Sequence, residues 1–203
     1  LLLEPQRTNL ITYSEQFDNA VWTKGEVTIT ANTITSPDGT INADTLLGNG
    51  SSLTHNLSQT ISVTNAATYS LSIYAKKGTN NFIQFAASSG LFGTNFYANF
   101  DINNGSVGSV GTSSTASILD MSNGWYKCTI TGTAIATTSG NIAAVLISAS
   151  TSVRLESITL STSVYLYGAS LELGSYSTSY IKSEGAATTR LADTCFKTGI
   201  SDK

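Results

Sequence analysis

Apolar side chains recur at every second position through most of this chain. A period of two puts them on one face only if the backbone is extended. The segment Thr68 to Ala75 reads Thr-Tyr-Ser-Leu-Ser-Ile-Tyr-Ala and sets Tyr69, Leu71, Ile73 and Ala75 on one side. The same alternation predicts strands at Glu26 to Thr30, Ala43 to Leu47, Leu53 to Val63, Asn81 to Ala87, Phe96 to Ile102, Ala116 to Met121, Trp125 to Ile135, Asn141 to Ser148, Ser152 to Leu160 and Val164 to Leu173. Turn chemistry separates them: Ser36-Pro37-Asp38-Gly39, Asn104-Gly105, Asn123-Gly124 and Ser139-Gly140-Asn141 all favour tight reversals. Asn104-Gly105 and Asn123-Gly124 read as hairpins, because Asn-Gly supplies the positive φ of a type I′ turn. The one expected helical turn runs from Ser14 to Ala20, with Ser14 as N-cap. The pattern predicts an all-β fold, a two-sheet antiparallel β-sandwich with less than about a tenth of its residues in helix.

The 203 residues suit a single sandwich domain. With 11% charged residues and a net charge of -3, no basic surface is available to neutralise phosphates, so nucleic-acid binding is not expected. No apolar run reaches the roughly 18 to 20 residues of a membrane-spanning helix, and no membrane insertion is expected. The start Leu1-Leu2-Leu3-Glu4-Pro5 lacks Met, and alternation fades after Ser183. This reads as a piece of a longer chain: a lead-in over 1–8, the main module over 9–183 and a linker over 184–203 toward a following domain. Cys128 and Cys195 are too few for a disulfide framework, and two free or buried thiols are a simpler reading than the alternative of a single disulfide.

Catalytic chemistry is sparse. The single histidine, His55, sits in the polar alternation Leu53-Thr54-His55-Asn56-Leu57 and reads as an exposed or hydrogen-bonded strand residue. The 13 acids are scattered, and no nucleophile elbow, zinc or nucleotide motif is present. The chain therefore reads as non-enzymatic. A structural Ca2+ would have to draw on separated acids such as Glu15 and Glu172, and the plainer reading of these is surface or strand-end carboxylates. No other cofactor is implied.

Aromatic residues offer more, because sugar rings stack on Trp, Tyr and Phe while polar neighbours bind their hydroxyls. Candidates are Trp22, Phe92, Phe96, Tyr97, Trp125, Tyr126, Tyr165, Tyr167 and Tyr176, most of them needed for the core. Ser88 to Asn95 reads as a flexible loop offering apolar groups, so Phe92, Phe96 and Tyr97 are the expected ligand-binding residues.

The stretch Leu2-Leu3-Glu4-Pro5-Gln6-Arg7-Thr8-Asn9-Leu10, followed by Tyr13-Ser14-Glu15-Gln16-Phe17-Asp18-Asn19-Ala20-Val21-Trp22-Thr23-Lys24, resembles a module of tailed-bacteriophage fibre and tail structural proteins. Further motifs follow in that module's order: Ser36-Pro37-Asp38-Gly39-Thr40, Tyr74-Ala75-Lys76, Asn123-Gly124-Trp125-Tyr126-Lys127-Cys128, Leu166-Tyr167-Gly168-Ala169-Ser170-Leu171-Glu172, Thr178-Ser179-Tyr180-Ile181 and Thr189-Arg190-Leu191-Ala192-Asp193. The resemblance implies a galactose-binding-like jelly roll similar to family 4/9 carbohydrate-binding modules, often followed by a concanavalin-like domain. One departure is Tyr167, where many relatives carry Trp. Trp22 and Trp125 fall in the shared motifs and look like framework residues, whereas Phe92 to Tyr97 lies outside them.

The resulting expectation is a non-catalytic adhesion module on a virion, contacting host surface glycan and other virion proteins. The phage context makes a homo-oligomer, specifically a trimer, the expected assembly, in which weak sites gain avidity. Two other readings remain open at this level: a structural spacer or decoration domain without glycan binding, and the binding module of a secreted glycan-degrading enzyme.

Overall fold

The computed structural model describes residues 3–194. Its strands are β1 (Arg7–Asn9), β2 (Thr23–Gly25), β3 (Val27–Thr35), β4 (Ile41–Gly48), β5 (His55–Val63), β6 (Thr68–Lys77) and β7 (Phe82–Ala87), then β8 (Tyr97–Asp101), β9 (Ser106–Val110), β10 (Thr115–Asp120), β11 (Trp125–Thr133), β12 (Thr138–Leu146), β13 (Ser163–Leu173) and β14 (Thr188–Arg190). One four-residue helix, α1 (Ser89–Phe92), lies between β7 and β8. Two antiparallel six-stranded sheets, ordered β10-β11-β6-β13-β4-β3 and β2-β5-β12-β7-β8-β9, pack face to face as a jelly-roll β-sandwich.

The alternation explains the core. Tyr69, Leu71, Ile73 and Ala75 of β6 meet Phe85, Phe100, Ala98, Leu57 and Ile142 from the other sheet in one apolar cluster, since successive Cβ atoms leave opposite faces of a strand. Phe85 and Phe100 rings lie 5.1 Å apart. Trp22 and Trp125 are both buried and both donate their indole N–H, to Tyr13 O at 2.8 Å and Thr35 O at 3.1 Å. They are framework residues, as their place in the shared motifs implies. Cys128 is also in the core, where burial pushes its thiol far above the ordinary range. Cys195 lies outside the described residues, as does the final part of the expected linker.

The shared motifs close the fold on itself. β1 pairs with β14, and Glu4 and Asp193 exchange backbone and side-chain bonds, so the chain's two described ends lie together. Asn9 donates to Ala169 O and Ile181 O and accepts from the Ile11 and Leu171 amides. Ala169 sits where Gly168, at φ 59°, lets β13 bulge between Tyr167 and Ser170. Asp38 in the Ser-Pro-Asp-Gly turn accepts from Thr40, Asn42, Ser36 and the Tyr167 hydroxyl. Burial pushes Asp38 upward, but those hydrogen bonds outweigh it and hold the carboxyl well below the usual range.

Several local expectations are corrected. Residues 14–20 form turns rather than a helix, and Ser14 Oγ is taken by the Tyr180 hydroxyl at 2.6 Å and by Ser183. No strand forms over 152–160. That segment is irregular because its partners are mostly side chains rather than a neighbouring ladder. The Ser88 to Asn95 loop contains α1, whose Leu91 and Phe92 turn inward. His55 is neither exposed nor hydrogen-bonded: as an odd position of β5 it faces inward, fully buried, and neither ring nitrogen has a partner among the described residues.

The two Asn-Gly turns differ. At Asn123-Gly124 both residues have positive φ, 53° and 77°, and the Trp125 amide donates to Ser122 O at 3.0 Å, the expected type I′ reversal. At Asn104-Gly105 only Gly105 is positive, and the loop from Asp101 to Ser106 is longer, because Asp101 caps the amides of Asn103 and Asn104. Gly124→Val is expected to destabilise the domain by roughly 1 to 3 kcal/mol, since a β-branched residue resists that φ. Space is not the cause, as the nearest atom to a new Cβ is Lys76 Cε at 3.6 Å. An unchanged denaturation midpoint would show that the turn tolerates the side chain.

Candidate functional site

Each sheet has an outer face, and each is crossed by a non-strand segment that leaves a depression beside it. On the first sheet, β10 and β11 place Thr115 opposite Thr131, Ser117 opposite Thr129 and Leu119 opposite Lys127. These pairs stand on the outward side because Ala116, Ile118, Cys128 and Ile130 take the inward one. The stretch Ser175-Tyr176-Ser177, just after β13, forms the opposite wall of a groove of about 320 Å³.

Tyr176 is 53% exposed and Leu119 61% exposed. The Tyr176 ring is positioned by the Arg7 guanidinium, whose Cζ lies 5.2 Å from the ring centroid. Arg7 is in turn held by buried Glu172, at 3.9 Å. Lys127 does not present its charge to the groove: its ammonium donates to Thr178 O at 2.6 Å and lies 5.8 Å from the Tyr74 ring. Burial lowers its pKa. The groove therefore offers a ladder of hydroxyls, one half-exposed aromatic ring and, among the described residues, no lining carboxylate.

On the second sheet, the segment 147–162 between β12 and β13 lies as a strap across the outward side. Gln84 and Asn99, both fully buried, hold it. Gln84 accepts from the Leu155 amide at 2.7 Å and donates to Val153 O. Asn99 donates to Ser150 O and Ser152 O and accepts from Gln84 at 2.7 Å. In the next row, Ser58–Ala143–Ala86–Tyr97 in register across β5, β12, β7 and β8, Ser58 and Ala86 are buried and Ala143 is half-buried. Its small side chains make the floor of a second depression of about 250 Å³ beside the strap.

The sequence-derived ligand residues fall in different places. Phe92 and Phe96 are 2% and 1% exposed and stack on each other at 4.4 Å, sealing one end of the core. The loop does not offer them to solvent, because burying two large rings outweighs leaving them in water. Tyr97 is half-buried, one strand beyond Ala86 on the outer face. Tyr176 belonged to the wider aromatic set without being singled out; the signal for it was the Thr/Ser alternation of 115–117 and 129–131 on one face. Arg154 was hidden inside an expected strand.

Glu15 and Glu172, the acids considered for calcium, have separate partners. Glu15 pairs with Lys182 at 3.1 Å, and Glu172 binds the Thr178 amide and hydroxyl. Among the described residues no group of three or more His, Cys, Asp or Glu is gathered for a metal ion. Asp44, fully buried behind Phe17 and Asn32 amides, is pushed up to about 6 by burial, with Asp18 and Glu15 nearby adding to the rise.

No protein-family model and no curated protein matches the sequence. Among solved structures, the enzymatically active domain of bacteriophage CBA120 tailspike protein 4 aligns over 82% of this chain at 14% identity with a TM-score of 0.47. The alignment spans only 21% of that tailspike chain. TmCBM27, a carbohydrate-binding module with specific mannan recognition, aligns over 85% of this chain and 98% of its own length at 11% identity, TM-score 0.37.

Proposed function

We propose that this domain is a non-catalytic glycan-binding module of a phage fibre or tail protein and that the groove between β10, β11 and Tyr176 holds a segment of host surface saccharide. The observation that carries the reading is the half-exposed Tyr176 ring beside the ladder Thr115/Thr131 and Ser117/Thr129. An aromatic face accepts the C–H face of a sugar, while hydroxyls that donate and accept suit a ligand made of hydroxyls. The open groove suits a chain passing through rather than a reaction needing exclusion of water. The non-catalytic reading is supported by the lone histidine being locked in the core and by neither depression being lined by a carboxylate. The virion setting is supported by the sequence motifs, and trimeric display of weak sites would supply avidity.

The test is binding to an array of immobilised neutral polysaccharides. Tyr176→Ala is expected to weaken binding at least about tenfold, equivalent to roughly 1.4 kcal/mol, with the melting temperature held, since the ring is half in solvent. Binding of no array component, or equal binding by the variant, would count against the groove and favour the spacer reading.

A further inference from the structure

We infer that the depression on the second sheet is a separate subsite for a carboxylate-bearing sugar, such as a uronic acid residue, with Arg154 as the group that reads its charge. This rests on the glycan-binding reading above but places a second specificity at a different surface. Arg154 comes from the strap, and its Nη2 donates to Ala87 O, which fixes the guanidinium against β7. Its Nε is buried without a hydrogen-bond partner among the described residues, as are the Nε atoms of Arg7 and Arg190. Arg7 and Arg190 each face a carboxylate, Glu172 and Glu4, whereas Arg154 takes part in none of the ion pairs among the described residues. The nearest acid in sequence, Glu156, is turned away and accepts from Ser148 and Ser152 within the strap.

Arg154 lines the depression and has no carboxylate partner among the described residues; a guanidinium is matched by a planar carboxylate, which it can hold through parallel hydrogen bonds. The remaining lining favours a sugar over a plain anion. Thr54, Asn56, Ser58, Ser88 and Asn141 ring the site with neutral donors and acceptors, the complement of several hydroxyls around one charge. The small side chain of half-buried Ala143 leaves room at the floor for a ring, and among the described residues no second basic side chain lines the site. The volume of about 250 Å³ lies just under the range of pockets for larger ligands, which suits one sugar unit.

The experiment is isothermal titration of the intact chain with tetragalacturonate, with its neutral galactose counterpart and with tetraglutamate, at low salt and in 0.5 M NaCl. Tetragalacturonate is expected to bind at least tenfold more tightly than either comparator, with affinity falling in salt. Arg154→Gln should remove that preference and Arg154→Lys should keep part of it. Ala143→Leu, which fills the floor without touching Arg154, should also remove it, so a loosened strap in one variant does not decide the result. Equal binding of the acidic and neutral tetrasaccharides overturns the inference, as does unaltered binding by both Arg154→Gln and Ala143→Leu. Equal binding of tetraglutamate overturns it in favour of an acidic peptide. If tetragalacturonate fails while Tyr176-dependent binding persists on the neutral array, this subsite falls and the module reading stands; failure on both defeats both.

Discussion

Asn9→Ala is expected to cost about 4 kcal/mol, because it strands four buried backbone groups at about 1 kcal/mol or more each. For a chain of this size that corresponds to a melting temperature lower by roughly 8 to 16 °C. Asn9 has no exposed surface. Its Nδ2 donates to Ala169 O at 3.0 Å and Ile181 O at 2.8 Å, and its Oδ1 accepts from the Ile11 amide at 3.1 Å and the Leu171 amide at 3.0 Å. One side chain thus ties the start of the chain to the bulge in β13 and to the segment returning after it. Water cannot readily replace it in a site lined by Ile11, Ala169 and Leu171. Asn9→Asp is expected to be at least as damaging, since it keeps the oxygen that accepts from both amides but turns a second carboxylate oxygen toward two carbonyl oxygens. Urea denaturation of both variants checks this, and a loss below about 1 kcal/mol for Asn9→Ala would mean that the seam is held elsewhere.

Asn99→Ala is expected to cost about 3 kcal/mol and to loosen the strap selectively. The change removes the donor to Ser150 O and Ser152 O and the acceptor for Gln84. Gln84 then loses the contact that aims its Oε1 at the Leu155 amide, and the middle of the strap is left to Arg154 on Ala87 O, Thr54 on Leu155 O and Ser157, and the Ser109 amide on Ser150 O, with Asn80, Gly48 and Gly50 holding its two ends. Two effects separate this variant from a general destabilisation. Amide exchange should rise at Leu155 and its neighbours well before it rises in β6 or β11, because local opening of the strap requires no sheet to break. The Arg154 depression, built partly from the strap, should be lost together with any ligand it binds, while the Tyr176 groove on the opposite face should be spared. Uniform exchange across both sheets would defeat the proposed independence of the strap.

The strands of the two sheets were legible wherever apolar residues alternate with polar ones along the chain. β6, β11 and β13 carry alternation strong enough to give their positions nearly to the residue, and Asn123-Gly124 gave its turn type. The same reasoning failed for 152–160, where the apolar–polar rhythm of Ser152 to Leu160 mimics a strand. Period two reports which side chains are buried, whereas Gln84 and Asn99 supply backbone partners that no periodicity encodes. β1, β2, β9 and β14 were missed for a related reason. They are short edge or closing strands, and their pairing depends on segments far away in the chain.

The candidate sites were less legible than the fold. Phe92 and Phe96 were assigned to the surface because polar neighbours and glycines surround them; in three dimensions the loop contracts into α1 and the two rings close the core. Tyr176 and Arg154 gained their places only through what crosses each sheet. By itself the sequence determined the all-β class and the alternating core, because these follow from short-range periodicity and side-chain size, while the framework role of Trp22 and Trp125 was implied by the motifs that hold them. Tertiary structure decided which outward faces stay open, because exposure on a sheet depends on whether a distant segment is long enough, and suitably anchored by Gln84, Asn99 or Arg7, to lie across it.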